Sequence, residues 1–270
     1  MQDKSTNIIK LLYRHRELIY QFTKREIELR HKGNRLGHVW SLLTPLLMLG
    51  LYFFVFGIIF GGKFGVLPKE TFFDFTLALF LGLSFFNVIS EIISIAPSLI
   101  ISQPNFVKKV VFPLEIIPLS KVIASLYQSL LNIIICIIIT PFSHGALTIH
   151  TLELPVLILP LGFIALGLSW ALSSIGVFIR DINHITAFAS TALMYASAIV
   201  YSPTKIPLNI WSILKYNPLL RLIDQARYII LWRGSLDFGI IAMIYIISLI
   251  TLILGYFIFK ILRPYFAEVV

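Results

Sequence analysis

The chain has 270 residues, of which 58% are hydrophobic and only 13% charged, with a formal net charge of +9. A mean hydropathy of +0.90 excludes a soluble protein of one or two domains, which needs far more charged surface than this. The positive charge lies between apolar blocks and at the ends. That is the pattern of orientation in a membrane, not of a nucleic-acid-binding face.

Residues 5–30 read as an amphipathic helix. Ile8, Leu11, Leu12, His15, Leu18, Ile19 and Phe22 recur at helical spacing, while Lys10, Arg14, Glu17, Lys24 and Glu28 fall mostly elsewhere. A helix with such a basic polar side lies in the membrane interface or docks on a partner protein. The first thirty-five residues have no uninterrupted apolar core, so no cleavable signal peptide is expected.

Six apolar blocks then follow, each near the roughly 20 residues that cross a hydrocarbon core of about 30 Å. They are read at 36–60, 72–101, 114–140, 154–179, 185–201 and 238–262. Trp40 opens the first as an interfacial anchor and Pro45 lies near one of its ends. Gly61-Gly62-Lys63 closes it, Pro141 closes the third, Arg180-Asp181 follows the fourth and Arg263-Pro264 stops the last. Residues 202–236 are too polar to span and too apolar for an ordinary loop. Asn217-Pro218 has the form of an N-cap followed by proline at the first helical position. This region is read as two short helices dipping partway into the membrane, which is tolerated only under a cover of protein or water.

Six spans put both termini on one side. That side carries fourteen of the 22 Lys and Arg residues, which makes it cytoplasmic. The fold expected is therefore all-α and integral to the membrane, one domain over 1–270.

Catalytic signatures are absent from the sequence: no G-x-x-x-x-G-K-[ST], no H-E-x-x-H, no G-x-S-x-G. The single cysteine, Cys136, permits no disulfide within one chain and reads as a small buried hydrophobe. The six histidines are scattered, and no metal site is expected. Ionisable residues inside the spans are Asp74, Glu91, Glu115 and Lys121. Charge in the bilayer is costly, so each is a functional candidate. Asp74 and Glu115 lie near span ends and Lys121 can snorkel. Glu91, about ten residues from the cytoplasmic end of its span, is the best candidate for lining a polar cavity. The 22 Phe, 11 Tyr and 4 Trp face lipid and neighbouring helices for the most part, and some of them suit the wall of a tunnel where rings stack on sugar faces.

Three stretches carry a resemblance to a known family. They are Arg30-His31-Lys32-Gly33-Asn34-Arg35-Leu36-Gly37 with Trp40-Ser41-Leu42-Leu43-Thr44-Pro45; Pro104-Asn105-Phe106-Val107-Lys108-Lys109-Val110-Val111-Phe112-Pro113; and Tyr201-Ser202-Pro203, Asn217-Pro218-Leu219 and Arg227-Tyr228 with a final Arg263-Pro264-Tyr265-Phe266. In this order on six spans, the chain resembles the membrane permeases of bacterial polysaccharide ABC exporters, which serve O-antigen, teichoic acid and capsule export. The resemblance implies an interface helix at 5–30, a cytoplasmic coupling helix at 102–113 and two re-entrant gate helices on the outer side at 203–234. It implies a homodimer working with two copies of a separate nucleotide-binding subunit. No cofactor is then held by this chain, and ATP–Mg belongs to the partner.

The site residues follow from that resemblance. Gln103, Pro104, Asn105, Phe106, Val107, Lys108 and Lys109 are expected to couple to the ATPase. Arg25, Arg30, Lys32 and Arg35 are expected to meet a lipid diphosphate, or else only to set topology. Glu91, Phe53, Phe56 and Phe85 are candidates for the tunnel. Tyr201, Pro203, Trp211, Asn217, Arg221 and Arg227 are candidates for the gate. The rival readings are an exporter of drugs or small lipids, a membrane-embedded transferase for a lipid-linked sugar and a proton-coupled transporter. The second would need a metal-binding carboxylate pair or a catalytic base in a cytoplasmic loop, and neither is found; the third has too few facing ionisable groups.

Overall fold

The structure, a computed structural model, describes residues 12–30, 32–33, 36–66, 69–108, 112–143 and 147–270. Among these every regular element is helical. In chain order they are α1 (Arg16–Leu29), α2 (Trp40–Tyr52, continued by a π-helical stretch Phe53–Ile59), α3 (Phe72–Ile95), α4 (Pro104–Lys108), α5 (Ile116–Ile139), α6 (Leu154–Phe178), α7 (Ile182–Ala196), α8 (Leu208–Leu214), α9 (Pro218–Ile230), α10 (Phe238–Leu262) and α11 (Phe266–Val269). Residues 5–11 of the expected interface helix, Arg35 and Lys109 lie outside the described residues.

Among the described residues five helices are long and apolar enough to cross a membrane: α2, α3, α5, α6 and α10, each with its flanking turns. The segment expected as the fifth of six spans, 185–201, differs. Its helix α7 has 15 residues, a length of about 22 Å, and ends at Ala196. Ala198 beyond it takes a positive φ of 49°, which a non-glycine residue adopts at a cost and which breaks the helical path.

Helix starts are fixed locally. Thr71 and Asp74 form a reciprocal capping box at the head of α3. The Asn217 side chain accepts from the Leu219 and Leu220 amides at the head of α9, and Asp237 does the same for α10. Such caps satisfy amides that a helix terminus leaves without partners.

Side-chain contacts give the helix directions. Ser129 Oγ donates to the Ser84 carbonyl and Ser125 Oγ to Glu91, so α3 and α5 are antiparallel. Trp170 Nε1 donates to the Glu115 carbonyl, so α6 turns back along α5. On α6 and α10, however, Tyr245 meets Val156, Tyr256 meets Trp170 and Phe266 meets Phe178. Residue numbers rise together, and these two helices are parallel. Their backbones touch closely, since a Cβ on Gly167 would strike the Thr251 carbonyl and one on Gly255 would strike the Gly167 carbonyl. Small residues permit this approach where lipid gives no hydrophobic drive for association.

Two prolines inside the spans show how backbone groups are satisfied away from water. Proline removes the N–H that would bond the carbonyl four residues earlier, and an orphan carbonyl in hydrocarbon costs several kcal/mol. Pro45 frees the Ser41 carbonyl, which accepts from Gln128 Nε2 of α5 at 3.1 Å. Pro160 frees the Val156 carbonyl, which accepts from Tyr245 Oη of α10 at 3.0 Å. The broken end of α7 is treated alike. Asn217 Nδ2 donates to the Ala196 carbonyl, and Arg227 donates to those of Ala198 and Ile199.

The centre of the bundle is α3, apolar on nearly all sides, with Leu77, Leu79, Leu81, Phe85 and Ile92 fully buried. Outward faces of α2 (Leu46, Leu47, Leu51, Phe54) and α10 (Ile246, Ile250, Ile253, Phe257) remain exposed.

Candidate functional site: a polar groove between the first three spans

On α3 the residues Ser84, Asn87, Glu91 and Ser94 recur at three- and four-residue spacing, and on α5 so do Lys121, Ser125, Gln128 and Asn132. Helical periodicity puts each set on one face. Two cavities of 410 and 310 Å³ lie against these faces and share Arg30, Ser84, Asn87, Gln128 and Asn132 in their walls, so they form one groove. The α2 wall adds Trp40, Ser41, Thr44, Met48 and Tyr52.

One end of the groove is closed by an ionic cluster. Arg30 Nη2 donates to Glu91 Oε1 and Oε2 at 2.6 and 2.8 Å. Ser125 Oγ donates to Glu91 Oε2 at 2.7 Å. Lys121 Nζ lies 3.1 Å from Glu91 and 3.6 Å from Glu26. Two cations thus meet two carboxylates, so no net charge remains in the cluster. It ties α1 to α3 and α5.

Glu91 lines the groove, and Arg30 reaches the same place, with its Nη2 engaged by Glu91. Arg25 and Lys32 are exposed; the Arg25 guanidinium lies over the Phe22 ring at 5.6 Å. Phe53 packs edge-on against Phe73, and Phe56 against Tyr52 and Phe60. Phe56 also lines a smaller hollow at the far end with Phe60, Lys63 and Lys205. The expectation for Phe85 is corrected. It is 0% exposed, on the face of α3 turned into the bundle core, and lines no groove.

In the expected coupling segment, Pro104, Asn105 and Lys108 are exposed, whereas Gln103, Phe106 and Val107 are half-buried. The Phe106 ring lies 5.5 Å from that of Phe22 on α1 and 4.8 Å from that of Phe112, with Phe22 and Phe112 at 5.0 Å. This aromatic trio binds α4, α1 and the approach to α5 into one unit. Sequence reading missed it, because residues 84 and 90 positions apart carry no periodic signal.

In the expected gate region, α8 and α9 are the two short helices, preceded by a 3₁₀ turn at Pro203–Lys205. Arg221 stacks over Trp211 at 4.7 Å and donates to the Lys215 carbonyl, pinning α8 to α9. Tyr201 Oη donates to the Tyr195 carbonyl. Arg227 is not at a surface, as a gate-lining residue would be. It is fully buried, 4.4 Å over the Phe64 ring, and donates from Nε to the Ala78 carbonyl as well as to the two of the α7 break. Three backbone acceptors compensate this charge, so its part is architectural.

Near the bundle ends, Arg263 pairs with the buried Glu115 at 2.6 Å. Among the described residues no His, Cys, Asp and Glu side chains converge as metal ligands do.

A bundle of apolar helices around a polar groove, with charge confined to ends, internal pairs and one arginine held by backbone carbonyls, is that of a membrane permease. Residues 17–231 match the family model of ABC-2 type transporters, and the chain belongs to that family. It is a transmembrane transporter subunit and not an enzyme. Among individual proteins it is similar to an O-antigen export system permease protein, RfbA, of Klebsiella pneumoniae, 28% identical over 255 residues covering 94% of this chain and 95% of that one. It is also similar to RfbA of Myxococcus xanthus, 25% identical over 194 residues and 72% of either chain. A third relative is the polysialic acid transport protein KpsM of Escherichia coli, 24% identical over 235 residues, 86% of this chain and 88% of the relative.

Proposed function

We propose that this chain is the permease of an ATP-driven exporter that moves a lipid-linked polysaccharide, O-antigen in the first instance, from the cytoplasm to the periplasm. Two copies work with two copies of a separate ATPase, which holds the ATP–Mg. The observation that carries this reading is the hydroxyl- and amide-lined groove within a chain of this transporter family. A glycan on a lipid diphosphate loses its water partners in hydrocarbon, so it requires a polar path. Near-full-length similarity to the Klebsiella RfbA proteins favours O-antigen, and the similarity to KpsM keeps a capsule polymer as the second reading.

The membrane arrangement proposed is six crossings with both termini in the cytoplasm of the inner membrane. Because α6 and α10 are parallel, the chain between them has to return across the membrane. Residues 179–202 supply that return along α3: Ser190 bonds Ser90, and the Ala198 and Ile199 carbonyls reach the level of Ala78 through Arg227. From there α8 and α9 dip inward and out again. Asn217 bonds the Ala196 carbonyl at the inner end, and the Ile229 carbonyl accepts from Thr151 at the outer end.

Within this scheme Asn105 and Lys108 face the ATPase, and the Phe22–Phe106–Phe112 contact passes its movement to α1 and α5. Arg25, Lys32 and Arg35 meet the lipid diphosphate through charge-assisted hydrogen bonds, with Arg30 behind them on Glu91. The test is complementation of a strain lacking its O-antigen permease. Surface glycan returns when chain and ATPase are expressed together, and Lys32→Gln with Arg35→Gln reduces it while membrane insertion persists. Glycan display restored by the ATPase alone contradicts the proposal.

A further inference from the structure

The groove has a chemical character that the export reading alone does not specify. Its charged walls are Arg30 and Glu91, and these neutralise one another at 2.6 Å. What remains for a passing molecule is neutral: the amides of Asn87 and Asn132, the hydroxyl of Thr44, and the rings of Trp40 and Tyr52.

The amides are not equivalent. Gln128 is committed, donating to the Ser41 carbonyl and to Asn132 Oδ1. That contact turns the Asn132 carbonyl toward its own helix and leaves the Asn132 Nδ2 group for the groove. Asn87, exposed in the cavity wall, makes no side-chain hydrogen bond among the described residues. A carboxamide offers donors and an acceptor together, which matches the paired donor and acceptor capacity of sugar hydroxyls. Trp40 and Tyr52 lie twelve residues apart on one helical path, about 18 Å, and give apolar faces at either end.

We infer that Asn87 and Asn132, between the rings of Trp40 and Tyr52, form a binding subsite for uncharged, hydroxyl-rich sugar units and disfavour acidic ones. The inference rests on the export reading and narrows its substrate class. A carboxylate brought here leaves water and meets only cations already paired with a carboxylate, Arg30 and Lys121 on Glu91, and an uncompensated charge in such a place is costly. A neutral hexose loses only hydroxyl hydration, which the amides replace. Cavities of this combined size lie in the range of small-molecule sites.

The experiment measures binding of maltohexaose and hexagalacturonate, equal in length but one uncharged and one anionic, to the full chain in lipid nanodiscs with its ATPase. Wild type is expected to bind the neutral probe and to bind the acidic one at least about tenfold more weakly. Asn87→Leu should weaken maltohexaose about fivefold, the loss of one neutral hydrogen-bonding group, and Asn132→Leu should weaken it by about as much again. Asn87→Lys is the gain-of-function control: it should raise hexagalacturonate binding, while a lysine placed at an exposed position outside the groove should not. The inference is overturned by unchanged neutral binding in the double variant, by equal binding of both probes, or by no binding of either. Glycan export measured with the same proteins separates the two levels. Export without oligosaccharide binding removes the subsite alone, and wild-type chain that supports no export removes the reading beneath it.

Discussion

Replacing Glu91 with Leu removes the hub of the ionic cluster. Glu91 accepts two hydrogen bonds from Arg30 and one from Ser125, and it faces Lys121 at 3.1 Å. Hydrogen bonds to charged groups contribute about 1.5–3 kcal/mol each. Glu91 and Arg30 side chains are 23% and 22% exposed, so water screens part of this, and the net loss expected is about 3 kcal/mol, the low end for breaking a buried pair. For a domain of this size about 1 kcal/mol shifts the melting temperature by 2–4 °C, giving a fall of about 6–12 °C. The assay is thermal unfolding of the purified chain in detergent. Adding Lys121→Met to Glu91→Leu should recover part of the loss, because it removes a cation left without Glu91. Glu91→Leu protein that melts within about 1 °C of wild type would refute the reasoning, since it would put the cluster with solvent-exposed pairs of negligible net value.

Further outcomes follow from the same geometry. Tyr245→Phe should cost about 1–3 kcal/mol by orphaning the Val156 carbonyl, and Pro160→Ala in the same chain should restore it; thermal unfolding of the single and double variants reads the coupling. Arg227→Lys should fail to yield folded protein in size-exclusion chromatography, because one ammonium cannot replace a fork that reaches three carbonyls; a monodisperse variant would contradict the architectural role. Gly167→Leu should separate α6 from α10 and lower the melting temperature by several degrees, an overpacking cost of about 1–3 kcal/mol. Phe106→Ala should leave the chain folded while weakening the coupling of ATP hydrolysis to export, seen as ATPase activity without glycan transport.

The long apolar runs were legible because a bilayer demands length and composition above all. The span at 238–262 coincides with α10, and Asn217-Pro218 is the N-cap and first residue of α9 as its residue types imply. The run 185–201 has the composition of a span, but the point where its helix stops, after Ala196, had no local signal, since the freed carbonyls are taken up by side chains of Asn217 and Arg227 far along the chain. Pairings far apart in sequence, such as Arg30 with Glu91 or Pro160 with Tyr245, have no local signal. Phe85 shows the limit of residue type, since phenylalanine suits a core and a tunnel alike. The stripe of Asn87, Glu91 and Ser94 against Ser125, Gln128 and Asn132 was readable in principle from its helical spacing. Only the antiparallel register of α3 and α5 makes it a groove.

The central claim, that this chain conducts a glycan using energy released in another polypeptide, is tested most directly in proteoliposomes. Vesicles holding the chain and its ATPase are loaded with lipid-linked glycan on the ATPase side, and glycan appearing on the opposite side is measured. The account predicts movement that requires ATP and both polypeptides and that falls when Glu91 is replaced by Leu. Movement by the chain alone, or ATP cleavage by the chain without its partner, would contradict it.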